Sequence, residues 1–460
     1  MTYKEARVYL DELSKYGSVL GLDTIRGLLR ELGNPQDDLR FIHIAGTNGK
    51  GSVLAYTSTI LSEAGYRVGR YVSPTVISYL ERIQVDGVWI SEQRFADITA
   101  QVRDAIARLE EADEPLPTVF EAETAIAFLY FKEMNCRMVV LEAGLGGALD
   151  ATNIIKNTMC AVFSSISRDH IGIIGYTTEE IAQNKAGIIK PGCTVVSAEQ
   201  IPSVTDVLRG PAEEYGCAFM QADSHLAEIS ESGFRGTCLS YKEFNNIRTH
   251  LAGSFQAVNL ITALEVIRAL RLLGYSISDE AVRSGAEHTV WPGRFTCIGE
   301  NPVFILDGAH NEGAALRLKE SVSNYFPGRK LICIMGVFRD KDYEKIAEIM
   351  CPLASCIHTV ELPDKKRGLP AAELADAVRP YCPHVTAYAS DPHEPGQADG
   401  IRRAVNEALE KASSDDVILA FGSLSYLHQV KEAYGQNAGN SSAQITKERG
   451  RSFYDRSEEN

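Results

Sequence analysis

Lys50 stands in the run "HIAGTNGKGS", residues 43–52, just after a short apolar stretch and just before a segment of helical period. Strand, glycine-rich turn, lysine and helix in that order turn backbone N–H groups and a helix N-terminus toward an anion. Gly46, Gly49 and Gly51 allow positive φ and close backbone approach, with Thr47 and Asn48 between the first two. Lys50 brings a mobile positive charge to terminal phosphates, and Ser52 brings a hydroxyl. The common pattern G-x-x-x-x-G-K-[ST] is nevertheless broken, because it requires Gly where Ile44 stands and Ser or Thr where Gly51 stands. The chemistry predicted is the binding of a nucleoside triphosphate by a loop of unusual spacing.

A triphosphate travels with magnesium, a hard cation that takes oxygen ligands and keeps several waters. Glu142 ends the apolar run in "VVLEAGLGG", at the carboxyl end of a strand, where open α/β sheets bind ligands. Ser73 ends "GRYVSP", and His170 follows another strand in "SRDHIGIIG". Read singly, Ser73 is a turn residue and His170 a structural histidine. Lys185 lies in "IAQNKAGIIKPG" among apolar neighbours, where most lysines carry their ammonium to the polar edge of the helix. Asp307 and His310 emerge where the run "VFILDGAHN" passes from strand to loop, a position that favours function over packing.

The elements that must position these residues alternate between buried strands and helices, the pattern of α/β layers on parallel sheets. "RFIHIAG" reads as a strand, followed by a helix from Lys50 to about Ala64 that Gly65 closes. "RMVVLEAG" and "CAVFSSI" read as further strands, "TTEEIAQNKAGI" as a helix opened by a capping box, and "NLITALEVIRALRLLG" as a helix ending on Gly. A break at "HTVWPGRFTCIGENP" precedes a fresh series containing "VFILDGAHN", "KLICIMGV" and "DVILAFGSLSYL", which sets a domain boundary near residue 297. From about Gly435 the chain turns polar and is expected to be a disordered tail.

The chain has 460 residues, 45% hydrophobic and 23% charged, which suits two or three folded domains. A net charge of −15 argues against a passive binder of nucleic acid or anionic membrane. The N-terminus reads as an amphipathic helix, not a signal peptide, and no apolar run approaches the roughly 18 residues of a membrane span. Ten scattered cysteines without a C-x-x-C pair indicate reduced thiols and a cytoplasmic location; Cys351 and Cys356 match zinc spacing poorly.

Seven stretches occur in a familiar order: "HIAGTNGKGS", "SPTVISYLERIQVDG", "LEAGLGGALDATN", "DHIGIIGYTTEEIAQNKAGIIKPG", "WPGRF", "DGAHN" and "GVFRDKD". Together they resemble folylpolyglutamate synthase, including its bifunctional dihydrofolate synthase form, within the Mur ligase superfamily of ATP-dependent amide-forming ligases. The resemblance spans roughly residues 3–435 and accounts for the opening loop, since the family's phosphate loop is GTNGKG[ST]. It implies an α/β architecture. A P-loop-type ATP-binding and catalytic domain with a mostly parallel sheet covers 1–297, a smaller Rossmann-like glutamate-ligase domain covers 298–435, and the tail is 436–460.

The resemblance also implies roles. Gly49, Lys50, Gly51 and Ser52 match the triphosphate cradle, with Gly46, Thr47 and Asn48 completing the loop. Asn259, Arg294 and Asp307 match further ATP contacts, and Ser73, Glu142 and His170 match magnesium ligands. Lys185 matches a lysine that is carbamylated in the superfamily, turning a cation into an anion that helps hold a second magnesium; His310 matches a contact or positioning residue. Pterin-side contacts fall at Val19 and Leu20, at Thr118, Val119, Phe120 and Glu121, and at Leu149, Asp150 and Ala151. Departures are Ala148 where Arg is usual, Thr75 for His, Asn184 for Glu before the lysine, and Glu312 for the Pro after Asn311.

The implied reaction transfers the γ-phosphoryl of ATP to a substrate carboxylate, after which the amine of L-glutamate attacks the acyl phosphate. The implied substrates are a reduced folate, dihydropteroate as a second acceptor, L-glutamate and ATP, with no nucleic acid or membrane partner, and the protein is expected to be a monomer. The alternative is glutamate addition to folates alone. More distant readings are a Mur-type ligase acting on a cell-wall nucleotide and a P-loop ATPase that drives a partner. The second leaves Lys185, Arg294 and the "DGAHN" block unexplained.

Overall fold

The computed structural model describes residues 1–14, 21–389 and 399–439. The chain divides into two compact units. The first comprises Met1–Ser232, Gly236–His250 and Phe255–Trp291, and the second Gly233–Arg235, Leu251–Ser254 and the chain from Pro292 onward.

The first unit is built on β1 (Phe41–Ala45), β2 (Val68–Tyr71), β3 (Ile83–Val85), β4 (Val88–Trp89), β5 (Met138–Glu142), β6 (Thr158–Phe163), β7 (Thr194–Ser197) and β8 (Ala218–Gln221). They form one sheet in the order β4-β3-β2-β5-β1-β6-β7-β8. Strands β2, β5, β1, β6, β7 and β8 run parallel, while β3 and β4 add an antiparallel edge. Both β1 and β5 are buried at every residue, as continuous apolar runs must be when helices cover both faces of a sheet. The register pairs Ile44 with Glu142 and Ala45 with Phe163, so the chain leaves β5, β1 and β6 at one common edge. Because β5 and β6 flank β1 on opposite sides, that edge opens at β1, where a doubly wound sheet binds its ligand.

Strand β1 feeds the helix Lys50–Glu63, which is buried on nearly every side. Gly65 then stops it in the left-handed region, with Gly65 N bonded to Ser62 O and Tyr66 N to Leu61 O. On its flank the helix Asp279–His288 approaches so closely that a Cβ on Gly285 would strike the backbone of Ile60. A second core forms where Tyr3–Leu13, closed by a Thr2/Glu5 capping box, packs Ala6, Leu10 and Leu13 against helices Asp23–Glu31, Glu92–Glu111 and Val119–Glu133. The small sheet β9 (Ala227–Gly233), β10 (Gly236–Tyr241) and β11 (Phe244–Thr249) precedes the helix Ser254–Leu272.

The second sheet contains β12 (Thr296–Glu300), β13 (Val303–Leu306), β14 (Leu331–Met335), β15 (Cys356–Val360), β16 (Val385–Tyr388) and β17 (Val417–Phe421), in the order β12-β13-β17-β14-β15-β16. All pairings are parallel except the β12–β13 hairpin. That hairpin moves the division expected near 297 to Trp291/Pro292, because Thr296 and Cys297 already pair with β13. The chain end needs a similar correction. The helix Leu427–Gly439 continues past 435, anchored by buried Val430 and by Tyr434 packing edge-on to Phe304 at 5.3 Å; residues 440–460 lie outside the described residues.

All ten cysteines are free thiols. Among the described residues no helix is long and apolar enough to cross a membrane.

Gly285→Ala is expected to destabilise the first unit by about 1–3 kcal/mol, because the added methyl meets the backbone of Ile60 as well as its side chain. A denaturant titration showing wild-type stability for this variant would contradict the close packing described.

Candidate active site

The phosphate loop is strained only where glycine permits it. Gly46 and Gly49 adopt φ of +152° and +93°. A Cβ on Gly46 would collide with the Ser164 side chain, and one on Gly49 with the carboxamide of Asn259. The loop is strapped to the segment after β6: Thr47 N and Asn48 N donate to Ser165 O at 2.8 and 3.1 Å, and Thr47 Oγ1 donates to Ser167 O at 2.9 Å. The helix Lys50–Glu63 opens without a side-chain cap, which leaves its first amides oriented for an anion.

Two lysine amines converge on one carbonyl of this loop. Lys50 Nζ folds back to Gly46 O at 3.2 Å and Thr47 O at 3.4 Å, while Lys185 Nζ donates to Gly46 O at 2.8 Å. Lys50 lies 3.9 Å from Glu142, the outer limit of an ion pair. Lys185, on the capped helix Thr178–Ala186, is 4% exposed. Burial pulls its amine down to about 7, the charge of Lys50 pulls the same way, and Asp169 and Asp150 oppose them. Gly46, Thr47, Lys50, Asp169, His170 and Lys185, with Gly144 to Gly146 and Ile174, line one open cleft.

The donors present fit a magnesium ion. Ser73 N donates to Glu142 Oε2 at 3.4 Å, so the backbone of Ser73, just past β2, lies beside the carboxylate that ends β5. His170, at φ +51°, lines the cleft beside Asp169. No group of three or more His, Cys, Asp or Glu able to hold a metal occurs among the described residues. A carboxylate, a hydroxyl and an imidazole suit an ion that completes its shell with phosphate oxygens and water.

Around the cradle stand residues that sequence reasoning passed over. Gln256 Nε2 donates to Ser52 Oγ at 3.2 Å, and Asn259 Nδ2 donates to Gln256 Oε1 at 3.1 Å, so one turn of the helix Ser254–Leu272 reaches both Ser52 and Gly49. Its spacing from Asn259 is the only signal the sequence offered. The Trp291 indole covers Gly51, where a Cβ would strike the ring. Asp169 lines the cleft although only its neighbour His170 was singled out.

The pterin-side residues divide sharply. Val19 and Leu20 lie outside the described residues. Thr118 and Glu121 form the capping box of the helix Val119–Glu133. Buried Glu121 also accepts from Ile25 N at 3.1 Å and from the Thr24 hydroxyl, which ties the helix Asp23–Glu31 to its neighbour. Buried Asp150 accepts from Leu145 N at 2.7 Å and Thr152 N at 3.0 Å and caps the short helix Ala151–Ile154, so it acts as a latch; Ala151 is buried there. Val119 and Phe120 are half-buried, Phe120 packing over Gly144, and Leu149 is 47% exposed. Ala148, in the position where Arg is usual, packs against Gly187 and donates from N to Asn184 O at 2.9 Å.

In the second unit Asp307 is buried at the end of β13 and accepts from Phe295 N and Ala309 N, each at 2.8 Å. Burial pushes its carboxyl up to about 6, against the opposing influence of Arg294 and these amides. Arg294 approaches Gly308, where a Cβ would lie 3.3 Å from Nη1, and His310 Nδ1 bonds to Gly308 O at 2.7 Å. Asp307, Arg294 and His310 therefore form one local cluster.

With this geometry established, comparison with known proteins is informative. The Mur ligase middle domain matches residues 44–267, and the Mur ligase, glutamate ligase domain matches residues 293–424. The chain is 34% identical over 439 residues to the dihydrofolate synthase/folylpolyglutamate synthase of Bacillus subtilis, covering 94% of this chain and 98% of that one. The crystal structure of folylpolyglutamate synthase from Thermotoga maritima matches with a TM-score of 0.80 at 30% identity, over 95% of this chain and 97% of that one. The Mycobacterium tuberculosis folylpolyglutamate synthase complexed with ADP and AMPPCP matches with a TM-score of 0.81 at 27% identity, over 95% and 99%.

If Glu121 is a latch, Glu121→Ala strands the amides of Ile25 and Thr118 and should cost on the order of 3 kcal/mol of stability in a denaturant titration. Wild-type stability with weakened binding of the acid substrate would instead make Glu121 a substrate contact.

Proposed function

The chain belongs to the dihydrofolate synthase/folylpolyglutamate synthase family of Mur ligases, and from that premise we propose that it joins L-glutamate to a reduced folate and to dihydropteroate. It is an ATP-dependent acid–amino-acid ligase, and its family uses ATP with magnesium. The observation that carries the reading is the convergence of Lys50 and Lys185 on the Gly46 carbonyl, at a loop that lines an open cleft. The second acceptor rests on the Bacillus subtilis relative, whose name joins both activities.

An acid does not condense with an amine in water unless the leaving oxygen is activated. A carboxylate oxygen attacks the γ-phosphorus, the bond to the β-phosphate oxygen breaks, and ADP leaves. The glutamate nitrogen, as a neutral amine, then attacks the acyl carbon; the C–O bond to phosphate breaks and the nitrogen loses its proton. Lys50 and the first amides of the helix Lys50–Glu63 supply the charge that balances the crowded anions. Asn259 and Ser52 orient the phosphates, and Arg294, Asp307 and His310 are assigned to the nucleotide. Ser73, Glu142 and His170 would hold magnesium, which would neutralise phosphate charge.

Lys185 has a second role in this reading. A buried amine at about 7 is substantially neutral at physiological pH, and the neutral amine is the form that adds to carbon dioxide to give a carbamate and a proton. The carbamate would help to hold a second magnesium ion. Since the neutral fraction grows as pH rises through 7, carbamate formation should grow in the same direction.

Purified protein given ATP, magnesium and L-glutamate should release ADP with tetrahydrofolate and, in parallel, with dihydropteroate, each gaining one glutamate by mass spectrometry. Activity on the folate alone would remove the second acceptor. Lys50→Ala should lose roughly a hundredfold in kcat, the scale of one preorganised donor, and near-normal turnover would contradict its role. With 13C-bicarbonate, a carbamate carbon resonance should appear at pH 8, weaken at pH 6 and vanish in Lys185→Arg. Its absence from the wild-type protein at both pH values would refute the modification.

A further inference from the structure

His43, two residues before Ala45 at the end of β1, is wholly buried, and its Nε2 lies 2.8 Å from Thr152 Oγ1. Thr152 Oγ1 in turn donates to Asp150 Oδ1. A threonine hydroxyl has one proton, and that proton is committed to the carboxylate, so Thr152 accepts from His43. The ring is thereby fixed as the neutral Nε2–H tautomer. Among the described residues its Nδ1 is buried without a hydrogen-bond partner, a cost that an apolar residue in this strand would avoid. Burial and the nearby charge of Lys190 together lower the basicity of the ring to about 3, consistent with a permanently neutral donor.

The far end of this ladder is the floor of the cleft. Asp150 accepts the amide of Leu145 at 2.7 Å, and the Gly144 amide also bonds to it. Gly144 and Leu145 both line the cleft beside Lys185, and Gly144 also supports the Phe120 ring. A parallel tie, Asn153 Nδ2 to Ala148 O and Gly187 O at 3.0 Å each, clamps the same loop to the end of the Lys185 helix.

We infer that His43 is a positioning residue for the ligation. Acting through Thr152 and Asp150, it holds the Gly144–Asp150 loop against which the acid substrate seats. The inference deepens the ligase reading and rests on it for its kinetic arm. It assigns the cost of the buried Nδ1 to the need for one donor to Thr152 in the interior.

The test uses the full chain. His43→Leu and Thr152→Val should each lower kcat/KM for the folate acid roughly tenfold, the scale of one lost hydrogen bond with its misalignment, while leaving KM for ATP within about twofold. The double variant should be no worse than either single one, since both cut the same ladder. His43→Gln, whose Nε2–H reaches the place of the imidazole Nε2, and Thr152→Ser should recover most of the loss. Amide hydrogen exchange, independent of activity, should quicken across residues 144–150 in His43→Leu. The inference is overturned if His43→Leu keeps wild-type kinetics and exchange, if Gln is as damaging as Leu, or if the KM values for ATP and acid rise together in step with a falling melting temperature. A wild-type protein that joins no glutamate to any folate acid contradicts the ligase reading instead, and the exchange measurement still decides whether the ladder holds the loop.

Discussion

The Gly46 carbonyl is the point on which the site depends. A single oxygen accepts from the Lys50 ammonium and from the nearly sealed amine of Lys185, and Glu142 opposes the Lys50 charge only at 3.9 Å. Such an arrangement is costly unless an anion of higher charge comes to rest on it. The sheet order, the left-handed glycines and the uncapped helix all serve to bring these groups together at the open edge beside β1.

Much of this was legible in the sequence, because periodicity and local chemistry point the same way. The strand before Gly46, the helix after Lys50 and the Thr177/Glu180 capping box follow directly from residue types. The convergence of Lys185 on Gly46 was not, since 139 residues separate them and helical spacing alone favours a solvated lysine. Gln256 escaped for the same reason: its contact with Ser52 spans 204 residues. The domain division shifted because a strand hidden in the polar run near 297 pairs with β13.

The acid side of the cleft shows why a motif is not a contact list. Glu121 and Asp150 occupy the expected places, yet their carboxylates are spent on backbone amides that fasten helices and loops. Buried carboxylates satisfied in this way hold shape, and the half-buried Val119 and Phe120 with the exposed Leu149 are better disposed to meet a ligand.

The most direct measurement follows oxygen. With 18O in the carboxylate of the folate acid, ligation through an acyl phosphate predicts that one labelled oxygen per turnover leaves in inorganic phosphate, with none in ADP. Unlabelled phosphate released alongside glutamylated product would contradict activation of the acid by phosphoryl transfer.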